Sequence, residues 1–144
     1  MNDEKEKLYH LLKEAFLLLD FGDRQLFSRY DLTISRYYAL YHINGDPGLS
    51  ISQLSDSMFC DKSNATRVVK GLEKDGLVLR EPHETDGRTL RLFLTETGQE
   101  LLKTASIAHN NYNQARLNRI SDVLRNNLID GLDILNTRLR ESLS

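Results

Sequence analysis

Ser63, Asn64, Thr66, Arg67 and Lys70 crowd one short stretch of the chain, and Asp86-Gly87-Arg88 follows further on. The first group mixes short hydroxyl and amide side chains with an arginine and a lysine. Such groups reach phosphate oxygens or base edges, and the arginine fork can bind a guanine edge through two hydrogen bonds. Each residue also has a plainer role. Ser63, Asn64 and Thr66 could serve as caps and solvated surface, Arg67 could bind phosphate or pair with Glu73, and Lys70 and Lys74 could simply be solvated. Arg88 at a loop tip suits a narrow minor groove, where negative potential is concentrated. Asp86 stands two residues away to orient it; alternatively Asp-Gly is only turn chemistry.

The surrounding pattern decides what holds these groups. Ala65, Val68, Val69 and Leu72 recur at helical spacing and turn inward, which leaves the polar set outward. Asp61 is placed to cap this helix, and Asp75-Gly76 to end it. Two strands follow, Leu77 to Arg80 and Leu90 to Leu94, with Asp86-Gly87-Arg88 between them. A helix followed at once by a basic-tipped hairpin is the layout of a winged helix-turn-helix, which sets one helix in a DNA groove and a loop beside it. Upstream, Ser50-Ile51-Ser52-Gln53 forms a capping box that starts a short helix with Ile51, Leu54 and Met58 on one side. Thr33 caps a helix to about Ile43, and Asn44 to Gly48 breaks it. Pro47 and Pro82, the only prolines, fall in expected connections.

The two ends of the chain are proline-free and permit long helices. The first spans about 5–30, with Gly22 as a weak point. Thr95 caps another from about 96, and Ile120, Leu124, Leu128, Leu132, Leu135 and Leu139 recur near the end. The fold class is therefore mainly α with a small β-hairpin wing: a winged helix-turn-helix core plus N- and C-terminal dimerisation helices. Residues 33–97 form the DNA-binding domain, and residues 1–32 and 98–144 the helical dimerisation region. Either the end helices pack only on each other and on the central unit, or, because faces this wide exceed what that unit needs, they meet a partner, most simply a second copy on a two-fold axis. Two recognition helices about 34 Å apart would meet successive major grooves of a near-palindromic site.

Composition narrows the function classes. With 144 residues, 40% hydrophobic and 28% charged, the chain suits one soluble domain with attached helices. No apolar run approaches a membrane span of roughly 20 residues, and the N-terminus lacks a secretory pattern. A single cysteine, Cys60, excludes an internal disulfide and fits the cytoplasm. Net charge is −2, and seven Lys/Arg meet seven Asp/Glu over residues 50–95. Any basic footprint is thus a narrow strip, and affinity must rest on a few phosphate contacts plus base readout. Gly71 to Gly76 resembles half a phosphate loop but ends a helix and lacks the Lys-Ser/Thr. No metalloprotease or nucleotide motif occurs, so neither an enzyme nor a cofactor is expected.

Taken together, LTISRYYALYHI and GLSISQLSDSMFCDKSNATRVVKGLEKDGLVLREPHETDGRTLRLFLTETG resemble the MarR family of bacterial transcriptional regulators. The sharpest likeness is Asp86-Gly87-Arg88 followed by Leu94-Thr95-Glu96-Thr97-Gly98. Ser63 to Arg67 with Leu72 to Val78 adds to it. Gly71 departs from the family, which usually carries a longer residue there. The resemblance implies a homodimer that binds double-stranded DNA through the helix after Asp61 and the wing. It also implies a repressor released by a small phenolic or other aromatic anionic effector, by metal or by cysteine oxidation. Phe16, Arg36, Tyr37, Tyr38, Tyr41 and His42 are the candidate effector-binding residues, or simply an aromatic core. Cys60 lies at a helix start, where a thiol can be oxidisable, or it is a small packing residue. His42 and His109 do not complete the metal site of zinc-sensing relatives, because Asn113 stands where a second histidine of the long helix is needed. Two other readings are a redox response through Cys60 and a winged-helix module whose basic face meets acidic protein. The pairing of helix and wing chemistry argues against the latter.

Overall fold

Six helices and one hairpin make up the computed structural model, which describes residues 3–144. In chain order they are α1 (Glu4–Ser28), α2 (Ile34–Gly45), α3 (Ile51–Met58), α4 (Lys62–Lys74), β1 (Val78–Pro82), β2 (Leu90–Leu94), α5 (Glu96–Leu117) and α6 (Asp122–Ser142). This is the expected class, mainly α with a hairpin wing. The chain forms two compact units, one up to His109 and the other Asn110–Ser144.

Local chemistry places each boundary in the first unit. Thr33 Oγ1 accepts from Arg36 N at 3.1 Å. The Ser50–Gln53 capping box is closed in both directions, at 2.9 and 3.1 Å. Asp61 Oδ1 accepts from Asn64 N at 2.7 Å. Helix α1 runs through Gly22 without interruption. Helix α4 ends where Gly76 N donates to Glu73 O and Leu77 N to Leu72 O. That paired closure needs the left-handed backbone of Gly76, φ +74.

The strands pair antiparallel from Val78↔Leu94 to Pro82↔Leu90. Pro82 thus closes β1 instead of lying in the connection; a residue at the end of an edge strand can do without a donor. Gly48 N donates to Leu92 O and Leu92 N to Leu49 O, so the α2–α3 connection pairs with the free side of β2. The core gathers Phe27 from α1, Leu40 and Ile43 from α2, Leu54 from α3, Val69 and Leu72 from α4, and Leu92 from β2, all fully buried. Phe27 stacks on Tyr37 with ring centroids 4.1 Å apart.

The turn into α4 carries strain. Phe59 closes α3 at φ +53 and is 76% exposed. A left-handed backbone disfavours a residue with a Cβ by roughly 1–2 kcal/mol, only partly offset by the entropy a glycine would lose. Phe59→Gly is expected to raise stability by about 0.5–1 kcal/mol in denaturant titration. A lower stability would show that the ring packs against something that holds the turn.

In the second unit, α5 stops at Leu117 and α6 restarts at Asp122, a break the apolar recurrence does not reveal. Ser121 Oγ caps α6 by accepting from Leu124 N at 3.2 Å. Arg125 donates to the carbonyls of Leu117 and Ile120 and so satisfies acceptors left open at the end of α5. No proline or glycine marks the break, so only the Ser-Asp cap could have signalled it.

Candidate nucleic-acid interface

Helix α4 buries Ala65, Val69 and Leu72 against the core. Ser63, Arg67 and Lys70 stand exposed on the other side, with Asn64 and Thr66 half-buried between them. Most of this polar set has a local partner. Ser63 Oγ donates to Asp61 Oδ1 at 2.9 Å, Thr66 Oγ1 to Lys62 O at 2.8 Å, and Arg67 Nη2 to the Asn64 side-chain oxygen. Glu73 binds Arg80 on β1, with Arg80 Nε and Nη2 both at 2.9 Å. Arg67 therefore faces outward beside an amide, while Glu73 braces α4 against the hairpin.

Asp61 holds the start of this face. Its carboxyl lies below the usual range because it accepts from Asn64 N, then from the Ser63 hydroxyl; burial opposes the shift and the charge of Arg67 adds to it. A depressed folded-state pKa stabilises the fold above the unfolded value, and that contribution is lost as pH falls through the folded pKa. Asp61→Asn keeps a capping oxygen but removes the charge. Its unfolding midpoint is expected to lie below wild type at neutral pH and to converge with it as pH drops below about 4. Parallel curves would remove Asp61 as a source of acid sensitivity.

The wing loop spans 83–89. His83 N donates to Thr89 O at 2.7 Å and Thr89 N to Asp86 O at 3.0 Å. Asp86 Oδ1 accepts from Arg88 N at 3.1 Å, and Oδ2 from Thr89 Oγ1 at 3.1 Å. The Arg88 side chain is 97% exposed, with Nε 3.8 Å from Asp86 Oδ1. Asp86 thus fixes the backbone under Arg88 more firmly than it holds the guanidinium. A cleft lined by Ser50, Ile51, Ser52, Lys62, Arg88 and Thr89 brings the start of α3, the start of α4 and the wing tip together.

The sequence pattern missed one feature behind α4. Arg36 Nη1 lies 2.6 Å from Asp75 Oδ2, at the C-terminal end of α4. The guanidinium fills the space that a side chain at Gly71 would take, with Arg36 Cζ 3.3 Å from an ideal Cβ position. Gly71 and Arg36 are therefore one device that ties α2 to α4. A glycine mid-helix beside an arginine on the preceding core helix was the available signal.

The candidate effector residues divide. Tyr37 is buried and stacks on Phe27, and its hydroxyl shares a hydrogen bond with Ser106 Oγ at 3.0 Å. Tyr38, Tyr41 and His42 continue the ring contacts along α2. Tyr41 and His42 line a cleft of about 370 Å³ with Asn44, Asp46, Leu49 and Ser57. Burial lowers the His42 pKa, which favours a neutral ring. Phe16 lies exposed on α1, and Arg36 is turned to Asp75. His109 is buried, with Nε2 2.9 Å from Asp23 Oδ1. Among the described residues, no group of three or more His, Cys, Asp or Glu is placed to hold a metal ion. Cys60 is half-buried, and its N–H donates to Ser55 O at 3.1 Å.

A capped helix with a polar outer face, entered by a tight turn from α3 and followed by a basic-tipped hairpin, defines a winged helix-turn-helix protein. Residues 30–89 match the model of the MarR family. The regulator SarZ of Staphylococcus aureus (strain USA300) is 34% identical over 100 residues, which span 67% of this chain and 68% of SarZ. The chain belongs to the MarR family of transcriptional regulators, which are DNA-binding proteins and not enzymes. Solved structures agree in fold. A MarR-like regulator from Bacillus cereus ATCC 10987 superposes with a TM-score of 0.85 at 21% identity, covering 94% of this chain and 97% of that one. The transcriptional repressor CouR bound to a 23-mer DNA duplex gives 0.81 at 24% identity, covering 94% of both. CouR from Rhodococcus jostii RHA1 bound to p-coumaroyl-CoA gives 0.80 at 20%, covering 94% and 95%. Among the described residues, no helix is long and apolar enough to cross a membrane.

Proposed function

We propose that the chain is a homodimeric, ligand-responsive repressor of a near-palindromic operator. The observation that carries the DNA half of this reading is the exposed polar face of α4 beside the fully exposed Arg88 of the wing. Ser63, Asn64, Thr66, Arg67 and Lys70 would meet the major groove, and Arg88, set by Asp86, the flanking minor groove. CouR, a repressor bound to DNA, supports the same use of the fold. The proposed division assigns 33–97 to DNA and 1–32 with 98–144 to dimerisation.

The dimer rests on uncovered apolar surface. Helix α6 has no buried residue yet carries Val123, Leu124, Leu128, Ile129, Leu132, Ile134 and Leu139 exposed. Helix α1 exposes Leu8, Leu11, Phe16, Leu17, Leu18 and Phe21 around its circumference. A helix apolar on all sides belongs in an interior, and a second copy supplies one. The effector would be a small phenolic or other aromatic anionic compound whose ring meets Tyr38, Tyr41 and His42, with the buried Tyr37 behind them. CouR has been solved bound to p-coumaroyl-CoA, whose acyl group carries a phenolic ring. The effector would act by favouring a dimer whose recognition helices no longer match the groove spacing. A cytoplasmic site of action goes with the proposed DNA partner.

The test is a titration of the full chain against a labelled duplex from upstream of its own gene, at several salt concentrations, beside a scrambled duplex. Sedimentation of the protein alone runs in parallel. A dimer with tight, salt-steep binding that the scrambled duplex cannot match supports the reading. Equal weak binding to both would direct the search to a protein partner for the same basic face.

A further inference from the structure

His83 occupies an unusual place in the wing. Its Nδ1 lies 3.2 Å from Thr85 N, 3.3 Å from Asp86 N and 3.1 Å from Thr85 Oγ1. Backbone N–H groups only donate, so in this arrangement Nδ1 is the acceptor, which the tautomer with its proton on Nε2 provides. One nitrogen lone pair is shared among these donors. The imidazole thus does what an asparagine oxygen does in a side-chain-closed turn: it holds the amides two and three residues ahead. Asp86 then holds Arg88 N and Thr89 Oγ1, so the chain of support runs from His83 through Asp86 to Arg88. Since the Arg88 side chain is 97% exposed, the loop backbone sets where that side chain leaves the wing and so the region its guanidinium can reach.

We infer that His83 is a positioning residue for the wing and makes its grip on DNA proton-sensitive: the neutral imidazole fastens the loop that aims Arg88, and the imidazolium releases it. Protonation puts an N–H on Nδ1, facing the N–H groups it had accepted, so those contacts become repulsive. Asp46 from the α2–α3 connection and Arg91 from β2 share a cleft of about 480 Å³ with the ring, and Glu84 and Asp86 are its charged neighbours in the loop sequence. Arg91 is held by Glu84 at 3.2 Å and by Gly48 O at 3.3 Å. The sign is diagnostic. Protonation elsewhere on a DNA-binding protein adds positive charge and tightens the hold on phosphate, whereas release of the wing weakens binding as pH falls. The inference rests on the proposed contact between wing and DNA.

Two measurements on the full chain test it. In the first, backbone amides of the free protein are followed by NMR from about pH 8 to about pH 5.5, the range in which histidines charge. The Thr85 and Asp86 amides should shift together with the His83 ring, and His83→Asn, which keeps an acceptor but cannot titrate, should abolish the transition. Amides that ignore the His83 titration overturn the inference, whatever the DNA result. In the second, affinity for the upstream duplex is measured at fixed salt over the same range. Wild type should lose about tenfold at the acid end, His83→Asn should lose little, and His83→Ala should be weak throughout. Arg88→Ala should bind less tightly at neutral pH and lack the acid loss. Equal acid loss in wild type and His83→Asn overturns the functional half of the inference. If no variant distinguishes the upstream from the scrambled duplex at any pH, the DNA reading and that functional half fail together, while the amide titration still decides whether His83 holds the loop.

Discussion

Gly98→Ala is expected to cost about 2–3 kcal/mol of folding free energy. Gly98 is buried in the first turn of α5, against the entry to the hairpin. A Cβ at this position would press into the carbonyl oxygen of Leu77, with Leu77 C at 3.0 Å and Leu77 Cα at 3.3 Å. These are backbone atoms and cannot swing aside as a side-chain end would. The carbonyl is also in use: it accepts from Thr95 N at 3.1 Å. Thr95 Oγ1 donates to Gly76 O at 2.7 Å and accepts from Gly98 N at 3.0 Å. Pushing Leu77 away therefore loosens the cap of α5, the end of α4 and the base of the wing at once. Gly45→Ala is the control, since a Cβ there meets nothing within 4 Å. Denaturant titration should show a large loss for the first variant and little or none for the second. An unchanged midpoint for Gly98→Ala would mean that the hairpin base shifts freely, and the argument for a rigid wing support would fail.

The same residues show why much of the fold could be read from the chain. Thr33, Ser50, Asp61 and Thr95 each announce a helix start through a local hydrogen bond, and local bonds depend only on residues a few positions apart. The hairpin was visible because Leu90, Leu92 and Leu94 alternate around a buried centre, Leu92. The apolar recurrence hid the break before α6, where only the Ser121 cap marks the restart and Arg125 satisfies the end of α5 from beyond the break. Local pattern carries no trace of a side chain that reaches back eight positions.

Long-range pairings limited the reading of the site in the same way. Arg36 looks from its neighbours like part of an aromatic cleft, since Tyr37, Tyr38 and Tyr41 follow it. Its partner Asp75 lies 39 positions away, and the space it fills is left by Gly71. Glu73 was a possible surface partner for Arg67, yet Arg80 takes it from the strand. His83 is a turn residue with no special signal, and its role appears only when the loop closes on its Nδ1. The polar face of α4 was readable because an amphipathic helix displays its outward residues by period alone.

Arg67→Ala is expected to weaken operator binding by about 1–3 kcal/mol per half-site and to relax the preference at one base pair in each. Stability should hardly change, because the residue is exposed and its bond to the Asn64 amide oxygen is a surface contact. With Glu73 held by Arg80, Arg67 need not give up a pairing with Glu73 to meet DNA. Removing Arg67 in a dimer removes two such contacts, so the loss should approach twice that of one half-site when the halves act independently. The variant also separates the two roles available to a guanidinium. A base contact predicts a changed sequence preference that Arg67→Lys does not restore, because an ammonium lacks the planar fork. A phosphate contact predicts equal weakening on every duplex and a salt slope shallower by about one ion per half-site, about two for the dimer, which Arg67→Lys would largely recover. Lys70→Ala should show this second pattern. A binding-site selection with Arg67→Ala decides between them: an unaltered preference would move Arg67 from base reading to the backbone, and specificity would have to come from Ser63, Asn64, Thr66 and the wing.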